Sequence, residues 1–267
     1  MYRADYHIHT DFSHDSKAPI ALQIEEAIRQ GFDEIAITDH LEKELIDGTL
    51  QFNMQIEDYI KAVKIKQDQY KSKIKIKRGL EIGYEPRWHK DLLELVNPED
   101  FDFLICSTHK CEEQDMNTGT FFDGRTQIQG YTRYFEEVLN TIKNFSNFSV
   151  YGHMDYINRY GHFDDKILAV NDYKDLVYQI LKELKESNRG LEVNTSGIRY
   201  GLGHFHPQIE VLKMYLDMGG QIVTIGSDSH YKAHIGYLWN EAALLLKNIG
   251  FKYYTTFENR EPLFHNL

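Results

Sequence analysis

The chain has 267 residues, 42% of them hydrophobic and 27% charged, which fits a globular fold and excludes a disordered chain. A formal charge of −11 argues against a dedicated nucleic-acid binder, whose phosphate contacts need a basic surface. No apolar run approaches the ~20 residues of a membrane span. The first residues enter a strand with no charged-then-apolar leader, so a cytoplasmic protein without a membrane partner is expected.

Nothing resembling an internal repeat, a low-complexity tract or a Gly/Ser-rich linker divides the sequence, and residues 1–267 are expected to form one domain. Cys106 and Cys111 are too few for a disulfide scaffold and read as reduced thiols, with Cys106 in a buried strand.

The first strand pattern, residues 4–9, carries His7 and His9. A strand repeats every two residues, so both imidazoles point from one face, an arrangement suited to a divalent transition metal. Alone, such a pair also fits an ordinary polar strand face. A helical pattern follows over residues 20–30, with Pro19 at an early helical position and Gly31 as the stop. Further strand patterns cover residues 34–38, 74–81, 101–108, 148–153, 190–194 and 221–227. Helical patterns over 55–71, 130–143, 175–187 and 208–218 lie between them.

This alternation implies a parallel α/β sheet with crossover helices, and seven such units favour a closed or nearly closed barrel over an open sheet. Polar residues crowd the C-terminal end of each strand, where barrel enzymes build their sites. They are His7, His9, His14 and Asp15; Asp39 and His40; Glu81; His109; His153; Glu192 and Asn194; Asp228 and His230. On parallel strands these ends converge, and so many imidazoles and carboxylates together favour a multinuclear metal site.

His7-x-His9, Thr38-Asp39-His40, Glu81, His109, His153 and Ser227-Asp228-Ser229-His230 resemble the motifs of the polymerase-and-histidinol-phosphatase (PHP) superfamily, over essentially the whole chain. More narrowly, Phe12-Ser13-His14-Asp15-Ser16, Ser107-Thr108-His109-Lys110-Cys111 and Glu192-Val193-Asn194-Thr195-Ser196-Gly197 resemble its histidinol-phosphatase branch. The resemblance implies a distorted, TIM-like (β/α)7 barrel with three divalent metal ions at its C-terminal mouth. His7, His9, Glu81 and Asp228 would hold the first, Glu81, His109 and His153 the second, and Asp15, His40 and His230 the third. Asp15 stands where some members carry His; an oxygen ligand there suits harder metals, which leaves Zn, Fe and Mn all open.

The implied activity is hydrolysis of a small-molecule phosphate monoester, L-histidinol phosphate, in histidine biosynthesis, by in-line attack of a metal-bound hydroxide. A phosphatase also needs cations on the non-bridging oxygens, and Arg159 and Arg199 are the expected ones, since a guanidinium can bind phosphate through two parallel hydrogen bonds. Asn194 and Ser229 would add neutral hydrogen bonds. His14, His206 or a bound water could protonate the leaving group, and Glu42 or Glu112 could pair with the substrate amine. Asp39 and Asp5 are expected to orient their neighbours rather than bind metal. The lysines at 61, 64, 66, 71, 73, 75 and 77 read as a solvated face. A PHP-type nuclease, an amidohydrolase-like hydrolase and a non-catalytic metal-binding protein are the alternatives.

Overall fold

The computed structural model describes residues 1–46, 49–163, 165, 167 and 169–267. The apolar, β-rich runs become the barrel strands β1 (Ala4–Ile8), β2 (Glu34–Ile37), β3 (Lys75–Gly83), β4 (Phe103–Ser107), β5 (Val150–Tyr151), β6 (Gly190–Asn194) and β7 (Val223–Gly226). They lie side by side in chain order, each parallel to its neighbour. Their near-continuous burial is what a parallel sheet covered by helices requires.

The circle closes through one parallel bridge between Ile8 and Ser229. There the His9 amide donates to the Ser229 carbonyl at 2.8 Å and the Ser229 amide to the His7 carbonyl at 3.2 Å. Asp5 reinforces the seam, accepting from the Ser227 amide (2.8 Å), the Ser227 hydroxyl (2.6 Å) and the Gly236 amide (2.8 Å). The expected nearly closed (β/α)7 barrel is therefore the architecture found. A two-residue strand, His40–Leu41, continues past the end of β2 and pairs His40 with Glu81.

The main crossover helices, Ile20–Arg29, Ile56–Tyr70, Gln127–Asn144, Lys174–Glu186 and Ile209–Asp217, agree with the sequence periodicity. The first buries Ile20, Gln23, Ile24 and Ala27, an i, i+3, i+4, i+7 face. Each fully buried isoleucine there contributes ~1.5–3 kcal/mol. Gly31 ends it at φ 74°, and Pro19 caps it from just outside. The fourth-strand helix starts at Gln127 rather than at 130, because Thr126 and Gln129 form a reciprocal capping box.

The C-terminal segment had no counterpart in the strand and helix patterns. It forms a helix, Trp239–Ile249, and a hairpin of β8 (Tyr253–Glu258) and β9 (Glu261–Asn266). Asn259 and Arg260, at φ 49° and 69°, make the two-residue turn whose twist suits a hairpin. Phe257 packs on Phe103 at the start of β4 (centroids 5.1 Å apart) and exchanges hydrogen bonds with the Tyr6 hydroxyl. The hairpin thus plugs the N-terminal end of the barrel and leaves the opposite mouth open for chemistry.

Cys106 and Cys111 are buried free thiols, and burial pushes the Cys111 thiol up to about 12. Lys61, Lys64, Lys71, Lys73 and Lys75 form the solvated face expected; Lys77 departs from it, buried beside Glu258 at 3.4 Å. No helix among the described residues is long and apolar enough to cross a membrane.

Candidate metal centre

Glu81, fully buried near the end of β3, is the hub. Its Oε2 lies 3.1 Å from His7 Nε2, 3.4 Å from His9 Nε2 and 3.0 Å from His40 Nδ1. Its Oε1 lies 2.8 Å from His153 Nε2 and 3.2 Å from His109 Nε2, and accepts from the Ser107 hydroxyl at 2.7 Å. Asp228 Oδ1 stands 3.4 Å from His9 Nε2 and 3.5 Å from His230 Nδ1, while Asp15 Oδ2 stands 2.9 Å from His230 Nε2 and 3.6 Å from His40 Nε2. All nine residues expected as metal ligands therefore meet at one mouth.

His153 Nε2 and the Ser107 hydroxyl hydrogen-bond to Glu81 Oε1, but several of the other close approaches are not hydrogen bonds. His7 Nε2, His9 Nε2, His40 Nδ1 and Glu81 Oε2 are buried yet have no partner in hydrogen-bond geometry. A buried polar atom left so costs roughly 1–3 kcal/mol, and a cation shared among them removes that cost. The triads His7–His9–Glu81 and Glu81–His109–His153 each bring one ligand atom per residue within 4.8 Å of the others, as do His9, His40 and His230. The donor set of imidazoles and carboxylates fits divalent ions.

The charges agree. Burial alone would raise the Glu81 carboxyl and lower the imidazoles, but proximity reverses both. His7, His40 and His109 hold Glu81 well below the usual carboxylate range. Against its own burial, His109 is pushed up to about 9 by Glu81 and Glu42. His9 goes the other way, lowered by burial and by the neighbouring His230 and His40.

A pH effect follows for the metal-free protein. His109 titrates near 6.5 when unfolded and near 9 when folded, so its contribution to stability is complete below pH 6.5 and disappears as pH rises towards 9. Chelator-stripped protein should lose melting temperature across that window. Metal-loaded protein should not, because bound ions displace those protons. Scanning calorimetry on both forms checks this; parallel curves would contradict it.

The surrounding groups fix how the ligands point. Asp39 accepts from the Thr10 amide (2.5 Å) and the Ser13 hydroxyl (2.6 Å), and Ser13 Oγ meets His9 Nδ1 at 3.0 Å, so Asp39 orients rather than binds, as expected. Glu192 is the main residue that sequence reasoning underrated. Its Oε1 meets His7 Nδ1 at 2.5 Å, and its Oε2 accepts from the His153 amide at 2.9 Å. A carboxylate behind a ligating histidine sets its tautomer and strengthens it as a donor. Gly226 permits this approach, since a Cβ there would sit 2.3 Å from Glu192 Oε1 and 2.5 Å from His7 Cβ. Glu192→Gln should weaken metal binding ~10–100-fold, measured by competition with a chelator; unchanged affinity would remove Glu192 from this role.

Beside the cluster opens a cavity of about 270 Å³, with His14, Arg159 and Tyr200 in its wall. Arg159 Nη2 donates to Asp228 Oδ2 (3.1 Å) and Ser196 Oγ (2.7 Å), and the guanidinium lies between the Tyr156 and Tyr200 rings at 4.7 and 4.1 Å. His14, its side chain 40% exposed, stands at the rim 3.2 Å from Glu44.

Several expected substrate contacts are placed differently. Arg199 does not line the cavity; it donates to the Ser227 and Asp228 carbonyls, each at 2.7 Å. It thereby holds Asp228 at φ 53°, a backbone strain that aims this carboxylate at the cluster. Asn194 is fully buried, its amide spent on Glu192 (3.1 Å) and Ser196. Ser229 is also buried and donates to the Tyr231 carbonyl at 2.8 Å, a role in the closing turn. His206 has no exposure, and its Nε2 accepts from Arg159 Nε at 3.1 Å, which leaves no proton there to donate. Burial also holds its imidazole down at about 4. Glu112 is bound by Arg125 and Arg133, and Glu42 packs against His109 Nδ1 at 3.2 Å, so neither is free for an amine.

Comparison with known proteins agrees with this geometry. A model of the PHP domain matches residues 5–196. A histidinol-phosphatase of Lactococcus lactis is 30% identical over 263 residues, covering 96% of this chain and 95% of that protein. A probable histidinol-phosphatase of Thermotoga maritima is 31% identical over 249 residues, covering 93% of each. Among solved structures, the Lactococcus lactis histidinol phosphate phosphatase complexed with Zn, L-histidinol and phosphate superposes with a TM-score of 0.86, at 28% identity over 98% of both chains. With the motif residues converged on one barrel mouth and a family model spanning more than half its length, this chain belongs to the PHP domain family.

Proposed function

We propose that the protein is a metal-dependent histidinol-phosphatase, which hydrolyses L-histidinol phosphate to L-histidinol and inorganic phosphate in histidine biosynthesis. The observation that carries the reading is the set of partnerless ligand atoms around Glu81, next to a cavity that Arg159 lines together with His40, His109, His153, Asp228 and His230. The names of its relatives and the Zn, L-histidinol and phosphate of the Lactococcus lactis structure support it.

Three divalent ions, drawn from Zn, Fe and Mn, would be held by His7, His9, Glu81 and Asp228, by Glu81, His109 and His153, and by Asp15, His40 and His230. Such ions supply Lewis-acid polarisation of the phosphoryl group and a water acidified towards neutrality. Arg159 binds the non-bridging phosphoryl oxygens and neutralises charge that grows in the transition state. With His206 committed to Arg159, His14 at the rim or a bound water would protonate the leaving alkoxide. Asp115, a carboxylate in the cavity wall, suits the substrate's ammonium group. No serine or cysteine nucleophile is needed, and the Cys106 thiol, pushed up by burial, is unfit for one.

The test is phosphate release by metal-loaded protein from L-histidinol phosphate and other phosphomonoesters, with nucleotide release from single-stranded DNA and ring opening of a lactone panel assayed beside it. L-Histidinol phosphate should give the highest kcat/KM. Another ester ~100-fold better, about 2.7 kcal/mol of transition-state discrimination, would overturn the substrate assignment.

A further inference from the structure

Beside Arg159 lies a fully buried pair that the hydrolytic chemistry leaves unused. His206 and Asp155 are 0% and 1% exposed, and Asp155 Oδ1 stands 2.5 Å from His206 Nδ1. An arginine has five N–H donors and no acceptor. Because Arg159 Nε meets His206 Nε2 at 3.1 Å, that nitrogen must carry the lone pair. The single imidazole proton is then on Nδ1, where only a carboxylate such as Asp155 holds it firmly. Asp155 is itself pinned, accepting at Oδ2 from the Gln208 amide (2.9 Å) and Asn158 Nδ2 (3.0 Å). The His206 backbone is clamped to the end of β6 through mutual hydrogen bonds with Asn194 at 2.7 and 2.9 Å.

We propose that Asp155 and His206 are positioning residues for Arg159: His206 Nε2 fixes the guanidinium by accepting from Nε, and Asp155 fixes the tautomer that makes Nε2 an acceptor. The inference rests on Arg159 being the phosphate contact. Nε is taken by His206, and Nη2 by Ser196 and Asp228, so both Nη1 donors are left for a ligand; among the described residues Nη1 has no partner. The Tyr156 and Tyr200 rings block rotation out of that plane. An imidazole between Arg159 and Asp155 also keeps the second carboxylate from direct contact with the guanidinium. A carboxylate in van der Waals contact with Nε would set another negative charge close to a phosphoryl dianion. A neutral acceptor supplies the same geometry without it.

The experiment compares His206→Gln, whose amide oxygen can replace Nε2 as acceptor, with His206→Phe, which fills the space without one. Asp155→Asn, equal in size, would donate to Nδ1 and turn an N–H towards Arg159. For His206→Phe and Asp155→Asn, KM for the ester and the inhibition constant of inorganic phosphate should rise ~30-fold, with metal content unchanged. His206→Gln should return both to within ~5-fold of wild type. On zinc-loaded protein, the slowly exchanging Arg159 Nε–H resonance should persist in His206→Gln and vanish in His206→Phe. Equal impairment of the Gln and Phe variants, or wild-type phosphate inhibition in Asp155→Asn, would overturn the inference. Arg159→Ala separates the two layers: an unchanged phosphate inhibition constant there removes the phosphate role of Arg159 itself, and this inference with it. If His206→Phe fails to fold by circular dichroism, the Asp155→Asn and His206→Gln pair decides alone.

Discussion

Glu81→Ala should abolish turnover, lowering kcat/KM by at least ~10,000-fold, or about 5.4 kcal/mol of transition-state stabilisation. Among the described residues no other side chain touches as many of the expected ligands. One oxygen serves His7, His9 and His40, and the other serves His109 and His153. Removing the carboxylate would strip a shared ligand from the proposed sites on both sides and leave His7, His9, His40, His109 and His153 without their common carboxylate. Metal analysis should therefore show loss of more than one equivalent, where a ligand to a single ion loses one. Glu81→Asp keeps the charge but withdraws it by a methylene, so it should recover little. Full metal content with kcat/KM within ~10-fold of wild type would refute the hub assignment.

Arg159→Ala should cost ~100- to 1,000-fold in kcat/KM, the range seen when one preorganised donor to a developing anion is removed. The guanidinium is 4% exposed, locked by Asp228, Ser196 and His206, and held between two tyrosine rings, so it reaches the transition state without reorganising. Arg159→Lys should restore little, since an ammonium can neither span those partners nor lie flat between the rings. Competitive inhibition by phosphate should weaken in parallel. A variant within ~5-fold of wild type by both measures would sink the assignment.

Much of the centre was legible because strand chemistry is local. His7 and His9 share a face by the two-residue period alone, and their Nε2 atoms do reach the same oxygen of Glu81. Alternating strands and helices dictate parallel neighbours, so ligands at strand ends had to converge. Where the sequence reading failed, partners far apart in the chain were responsible. Arg199 and Asn194 sit where a phosphate contact was expected, yet their donors are spent on Asp228, Ser227 and Glu192. A helix and hairpin after residue 238 escaped notice because the short segment alternates weakly. They form because they have a barrel end to cover.

The sequence by itself determined the fold class and the gathering of imidazoles and carboxylates at the strand ends, since both follow from periodicities of a few residues. Only the tertiary structure decided what each polar group is committed to. Glu192 meets His7 across 185 residues, Asp155 meets His206 across 51, and His206 meets Arg159 across 47. Nothing in a residue's own neighbourhood specifies such a partner. It is set by which loops the closed barrel brings together, and burial then favours a match for each donor and acceptor left there, in the protein or in what it binds.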